Sequence, residues 1–248
     1  KIDALNTVDE TVEDRISADD NGNNVWVDTN ATRIALQPTS FPTIYLASTT
    51  GASAAAASGN NNSDNPAVSG DGRYTVFVSD ATNLVSGDTN VARDVFIFDN
   101  QTSTTRRLSL SQQGVEANRG SSNPAISGDG RYVAFASDAT NLVLNDRNGF
   151  TDIFVVDVIT GAISRESIPT AGSEANGSSF RPALSGDGRY LVFESNAINL
   201  SALATLGTTQ IYLRDRILGM TVLVSQSSAG TAGNAASLQA AISADGRY

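Results

Sequence analysis

Ser-Gly-Asp-Gly-Arg-Tyr occurs at Ser69–Tyr74, at Ser127–Tyr132 and at Ser185–Tyr190. A fourth copy, Ser243–Tyr248, differs only in carrying Ala244 for the first glycine. Each copy follows the one before it by 58 residues. A fixed period of this length means that one supersecondary unit is used repeatedly and that the core is built by stacking units. Solenoids, propellers and related arrays are the folds open to such a chain, and function is grafted onto the scaffold afterwards.

The unit from 127 to 184 shows what is being repeated. Pro124–Ser127 reads as a short strand, and Gly128-Asp129-Gly130-Arg131 as a tight turn whose glycines supply positive φ. Tyr132–Ser137 is a second strand, apolar on both faces as a strand covered on both sides must be. A polar connection runs to Asp152, Ile153–Asp157 is a third strand, and Ala162–Ile168 is a fourth after the Thr160-Gly161 turn. A Gly-rich return, 171–179, leads onward, and no stretch has the periodicity of a useful amphipathic helix.

Four strands per unit with an inner strand apolar on both sides suit blades stacked face to face. The fold class is therefore all-β, a β-propeller of four-stranded antiparallel blades. A β-helix has shorter rungs and no regular four-strand alternation. The chain divides into a polar arm or linker at 1–15, a degenerate blade at 16–63, blades at 64–121, 122–179 and 180–237, and a partial blade at 238–248. The degenerate blade rests on Ile16-Ser17-Ala18-Asp19, which matches Ile242-Ser243-Ala244-Asp245, and on the spacing of Val25-Trp26-Val27 to Ile44-Tyr45-Leu46. Ala52–Asn62 is of low complexity and reads as a loop. Four blades plus the start of a fifth make the propeller incomplete.

Pro-Ala-(Ile/Val/Leu)-Ser-(Gly/Ala)-Asp-Gly-Arg-Tyr followed by an apolar-Phe strand resembles the TolB-like, or WD-like, propeller repeat of bacterial proteins. The likeness covers 16–248, and Ser-Asp-Ala-Thr-Asn-Leu at 79–84 and 137–142 resembles the long-repeat version of exported proteins. The resemblance implies a periplasmic or extracellular location and, often, protein–protein binding. It also implies six or more blades in a closed ring, which exceeds the number present.

Composition removes much chemistry. The chain has no histidine and no cysteine, so His- or Cys-based triads, His- or thiolate-ligated metals and disulfides are all excluded. The only lysine is Lys1, and no Gly-rich phosphate loop ending in lysine is present. A net charge of −10 with scattered basic residues does not suit nucleic acid or anionic membranes, and no apolar run reaches spanning length.

Two sets of acidic residues stand out. The aspartates of the hexapeptide, Asp71, Asp129, Asp187 and Asp245, do not fit the Asp-box of sialidases, because glycine follows them immediately. They read as acceptors for turn amides, with the neighbouring arginines pairing to other acids. The second set is Asp88, Asn90 and Asp94, repeated as Asp146, Asn148 and Asp152. Oxygen side chains at the first, third and seventh positions of a loop can converge on Ca²⁺. The other reading is an Asx-stabilised turn leading into a strand. In the third unit the equivalents are Ala204, Leu206 and Gln210, so a calcium site is lost there. Calcium is the one cofactor the sequence suggests.

No catalytic pair emerges from the 26 acidic side chains. Glu194 alone breaks the inner-strand pattern, standing where the other units have Val78 and Ala136, and is expected at a strand end or channel mouth. The leading expectation is a non-enzymatic, exported binding or structural module. Its partner would be a protein or a second copy, engaged through the incomplete blade. A carboxylate-based glycan hydrolase or lyase and a self-associating filament-type protein are the alternatives.

Overall fold

The computed structural model describes residues 58–172, 174–203 and 207–248, and the backbone of 15–18 and 24–27. The chain divides into two units, Lys1–Ile44 and Tyr45–Tyr248. In the first, β1 (Arg15–Ala18) and β2 (Asn24–Val27) form a two-stranded antiparallel sheet. Of the expected arm at 1–15 only Arg15 is described, as the first residue of β1; the rest of it, the strand around Ile44–Leu46 and the first part of the 52–62 loop lie outside the described residues.

The second unit holds three antiparallel sheets of four strands, each in simple chain order. Blade I is β3 (Ser63–Val68), β4 (Tyr74–Ser79), β5 (Asp94–Asp99) and β6 (Thr104–Arg107). Blade II is β7 (Ser121–Ile126), β8 (Tyr132–Ser137), β9 (Asp152–Asp157) and β10 (Ile163–Arg165). Blade III is β11 (Ser179–Leu184), β12 (Tyr190–Ser195), β13 (Gln210–Asp215) and β14 (Met220–Leu223). These are consecutive propeller blades. The outermost strand is shorter than the sequence suggests, three residues in blade II, although Glu166 N still donates to Ile153 O just past its end.

The two middle strands carry the core. Val76, Val78, Val133, Phe135 and Phe154 are among the side chains withdrawn from solvent, in one cluster shared by blades I and II. One aromatic pair repeats across each blade: Phe77–Phe96, Phe135–Phe154 and Phe193–Tyr212, with ring centroids 5.7, 6.0 and 5.9 Å apart. Such pairs add about 0.5–1.5 kcal/mol each beyond the area they bury.

The first strand of each blade has a bulge, where the register shifts between Asp64 and Ala67, Ser122 and Ala125, and Phe180 and Ala183. The bulged residues Asn65, Asn123 and Arg181 have φ of 50°, 49° and 45°. Asparagine tolerates this left-handed conformation and arginine does not favour it. Gln239, at the same place in the fourth repeat, has φ 60°.

The hexapeptide forms the turn between first and second strands. Asp71 Oδ1 accepts from Ser69 Oγ at 2.6 Å and from Arg73 N at 3.0 Å, and Ser69 Oγ accepts from Tyr74 N. The Ser69 hydroxyl, then the Arg73 amide, holds the Asp71 carboxyl below its usual range, and the same pattern recurs at Asp187 and Asp245. Arg73, Arg131 and Arg189 pair with Asp99, Asp157 and Asp215 at 2.9, 2.9 and 2.7 Å, closing each blade from turn to third strand.

Only the second glycine of the motif has positive φ, 73° at Gly130. The first glycine serves a different need: the turns of successive blades touch. Gly70 N donates to Gly128 O and Gly186 N to Ala244 O, at 2.9 and 2.8 Å. A Cβ on Gly70 would stand 2.7 Å from Gly128 O, and one on Gly186 would stand 2.9 Å from Ala244 O.

Candidate functional site

The acidic loops precede the third strands of blades I and II. Asn90 Oδ1 accepts from Ala92 N and Asn148 Oδ1 from Phe150 N, so both loops contain the Asx turn. The asparagine amide then donates to the strand aspartate, Asp94 or Asp152, and to the carbonyl of Ala117 or Ala175. Asp94 and Asp152 also accept from Ser109 Oγ and Ser167 Oγ, each at 2.5 Å.

The carboxylates converge, and an arginine lies at their centre. Arg107 Nη1 is 2.9 Å from Asp88, 3.2 Å from Asp94 and 2.8 Å from Glu116. Arg165 Nη1 is 2.9, 3.2 and 3.2 Å from Asp146, Asp152 and Glu174. Each arginine sits at the end of the outermost strand and reaches back over the third. The Asp88 and Asp94 side chains are 2% and 0% exposed, and Arg107 is 6% exposed. Neither Arg107 nor Glu116 was drawn from the loop spacing, because they lie 13 and 22 residues past Asp94 in sequence. The signal was present in the repeat: both recur one period later, as Arg165 and Glu174.

Three carboxylates around one guanidinium leave excess negative charge, and the carboxyls respond unequally. Burial pushes Asp88, Asp94 and Asp152 up, against the pull of the arginine. Burial raises Asp146 to about 6, with Asp152 and Glu174 adding to the effect. Glu116 falls to about 2 because Thr89 donates to it from both hydroxyl and amide.

Blade III replaces the whole set. Asp152, Arg165 and Glu174 become Gln210, Leu223 and Ala232, while Ala204 and Leu206 lie outside the described residues. The Gln210 amide takes over two roles at once. Its Nε2 donates to Gly233 O, as Asn90 does to Ala117 O, and its Oε1 accepts from Ser225 Oγ, as Asp94 does from Ser109. Leu223 is 2% exposed within the apolar core. Where the acids are gone the arginine is gone, as a charge cluster neutralised by its own guanidinium requires. Among the described residues no group of three acidic side chains is set to hold a metal ion.

Glu194 stands next to the end of β12, the strand-end position expected for it, and is buried, with only 2% of its side chain exposed. Arg181 Nη1 donates to it at 3.2 Å, and the bulged Gln239 N donates to its Oε1 at 2.6 Å. This carboxylate therefore fastens blade III to the following segment, which also bonds through Ser237 N to Thr209 O.

That segment, 237–242, stands where β7 and β11 stand in their blades, yet no strand is hydrogen-bonded to it among the described residues. Among the described residues Arg247 has no carboxylate partner, and it lies over the Tyr248 ring. Tyr248 is 81% exposed.

No family model matches the sequence, and no curated protein matches it. Solved structures are similar at low identity. TolB from Acinetobacter baumannii aligns at 20% identity with a TM-score of 0.46, over 77% of this chain and 37% of that one. The β-propeller domain of the Trilobed protease from Pyrococcus furiosus aligns at 16% identity and 0.42, over 67% and 43%. A putative TolB from Agrobacterium tumefaciens aligns at 16% and 0.41, over 69% and 65%. The chain thus spans less than two thirds of the length of each.

Proposed function

We propose that this chain is a non-enzymatic, exported propeller module that binds protein. The observation that carries the reading is the way the two buried acidic clusters and Glu194 are occupied. Their carboxylates are spent on arginines that tie strand to strand, and Glu194 is spent on Arg181 and Gln239. In this reading the loops of Asp88, Asn90 and Asp94 and of Asp146, Asn148 and Asp152 are clasps centred on arginine, with calcium as the competing occupant.

Sedimentation of the full chain over a wide concentration range, together with assay on a panel of glycans, tests the reading. Self-association without turnover supports it, and a strictly monomeric chain that turns over glycans would overturn it. The hydrolase alternative gains only if the chain cleaves glycans and Glu194→Gln abolishes that cleavage.

A further inference from the structure

The junction between blades I and II and that between blades II and III use the same repeat positions, filled differently. At the second, the buried Glu166 lies 3.3 Å from the Nε of Arg214 and of Arg216, and accepts from Ser164 Oγ at 2.8 Å. Thr170, on the loop that follows, accepts from Thr221 N at 2.8 Å, and the Thr221 hydroxyl donates to Ile168 O at 2.6 Å. An acid with its two cations fills this junction, and threonine hydroxyls clasp it.

One period earlier, Leu108 stands for Glu166, Val156 and Val158 for the two arginines, and Ile163 for Thr221. The clasp is reduced to one long contact, from Ile163 N to Gln112 Oε1 at 3.4 Å. A groove of about 540 Å³ lies there between the two blades, within the size range of ligand sites. Leu108, Leu110, Val156 and Val158 supply its apolar wall. The cation has changed sides. Arg106, in the place of Ser164, is exposed at the groove and reaches across to Val158 O through two long contacts of 3.4 and 3.3 Å. Asp157, which also lines the groove, is already paired with Arg131 at 2.9 Å. No acidic side chain pairs with Arg106 among the described residues, and the sequence from 29 to 63 contains no acidic residue.

We propose that the groove between blades I and II binds an extended segment of a partner protein that carries a glutamate with aliphatic neighbours. The glutamate carboxylate meets Arg106, and an aliphatic side chain beside it lies on the wall of Leu108, Val156 and Val158. The next junction displays the same chemistry satisfied within the chain, where the Glu166 carboxylate rests against cations and the Ser164 hydroxyl. Here the cation is present and leucine holds the position of the acid. A guanidinium takes a carboxylate through two parallel hydrogen bonds, about twice as strong as neutral ones. Gln112 adds a further donor, since its Nε2 has no partner among the described residues and can serve a main-chain carbonyl of the segment. The inference rests on the protein-binding reading and names the chemistry that this surface selects. Both walls come from consecutive blades inside the described chain, so the groove is complete as it stands.

The test is titration of the isotope-labelled full chain with acetyl-Leu-Glu-Leu-amide, followed by NMR shifts of the backbone amides. Acetyl-Leu-Gln-Leu-amide, equal in shape and uncharged, is the control. The glutamate peptide is expected to shift amides in 105–112 and 156–161, and to bind at least about tenfold more tightly than the control, the effect of one charge-assisted contact. Arg106→Gln is expected to erase that preference. Arg106 is exposed, so the substitution leaves the fold intact, which circular dichroism would verify. Equal binding of the two peptides, a preference that survives Arg106→Gln, or shifts confined to other surfaces would each overturn the proposal. So would the absence of any shift at millimolar peptide, even where sedimentation shows self-association and the protein-binding reading stands. Selective binding by a chain that turns over glycans would instead keep the groove and overturn the non-enzymatic reading.

Discussion

Replacing Arg107 by leucine, and nothing else, strands the Asp88 and Asp94 carboxylates at 2% and 0% exposure with no cation beside them. Removing one partner of a buried ion cluster costs about 3–5 kcal/mol, while replacing the whole cluster with apolar groups is often close to neutral. Blade III already displays a complete replacement. Five substitutions copy it into blade I: Asp88→Ala, Asn90→Leu, Asp94→Gln, Arg107→Leu and Glu116→Ala. The single variant is expected to lose about 4 kcal/mol, which lowers Tm by about 10 °C in a domain of roughly 200 residues. The five-fold variant is expected to stay within about 1.5 kcal/mol of the parent, since Gln210 and Leu223 show the same backbone accepting the apolar set. Urea denaturation at pH 7 measures both, and repeating it at pH 5 should shrink the deficit of the single variant as the stranded carboxyls take up protons. If Arg107→Leu alone is no less stable than the five-fold variant, the acids do not depend on the guanidinium and the clasp reading fails.

Stability is also expected to depend on Asp146. Its folded pKa of about 6 lies above the unfolded value of about 3.9, so the folded state binds that proton more tightly and gains stability as pH falls from 7 towards 4. Glu116, lowered to about 2, acts oppositely: its contribution is full above the unfolded value and is lost as pH drops below about 4. Urea midpoints should therefore rise between pH 7 and 5, and Asp146→Asn should flatten that rise. Millimolar calcium is expected to leave Tm unchanged if Arg107 and Arg165 fill the clusters; an increase that Asp146→Ala removes and Gln210→Ala does not would assign the loops to the metal. Gly70→Ala is expected to cost about 1–3 kcal/mol, because the new methyl meets the Gly128 carbonyl, whereas Ala244→Gly should change stability by less than about 1 kcal/mol.

The repeat carried the architecture because register and strand order follow from local pattern. Tyr132–Ser137 reads as a strand covered on both faces, and the ladder runs over those same residues. Likewise the turn chemistry of Ser127, Asp129 and Arg131 involves partners within a few residues or one strand away, so composition and spacing suffice. Other decisions needed contacts between distant segments. The first glycine of the motif looks in sequence like a turn residue, but its small size is required by the next blade's backbone, 58 residues on. Asp88 and Asp94 look like a cation loop because their oxygens do converge. Which cation they meet depends on a side chain from the outermost strand, and only the fold brings Arg107 there. Glu194 looks like an outlier in an apolar strand until the bulge of the following repeat is set against it, where its carboxylate receives an amide that Val78 and Ala136 could not. Local patterning fixes the units of an array, while the chemistry of a junction belongs to pairs of units and appears only when they are stacked.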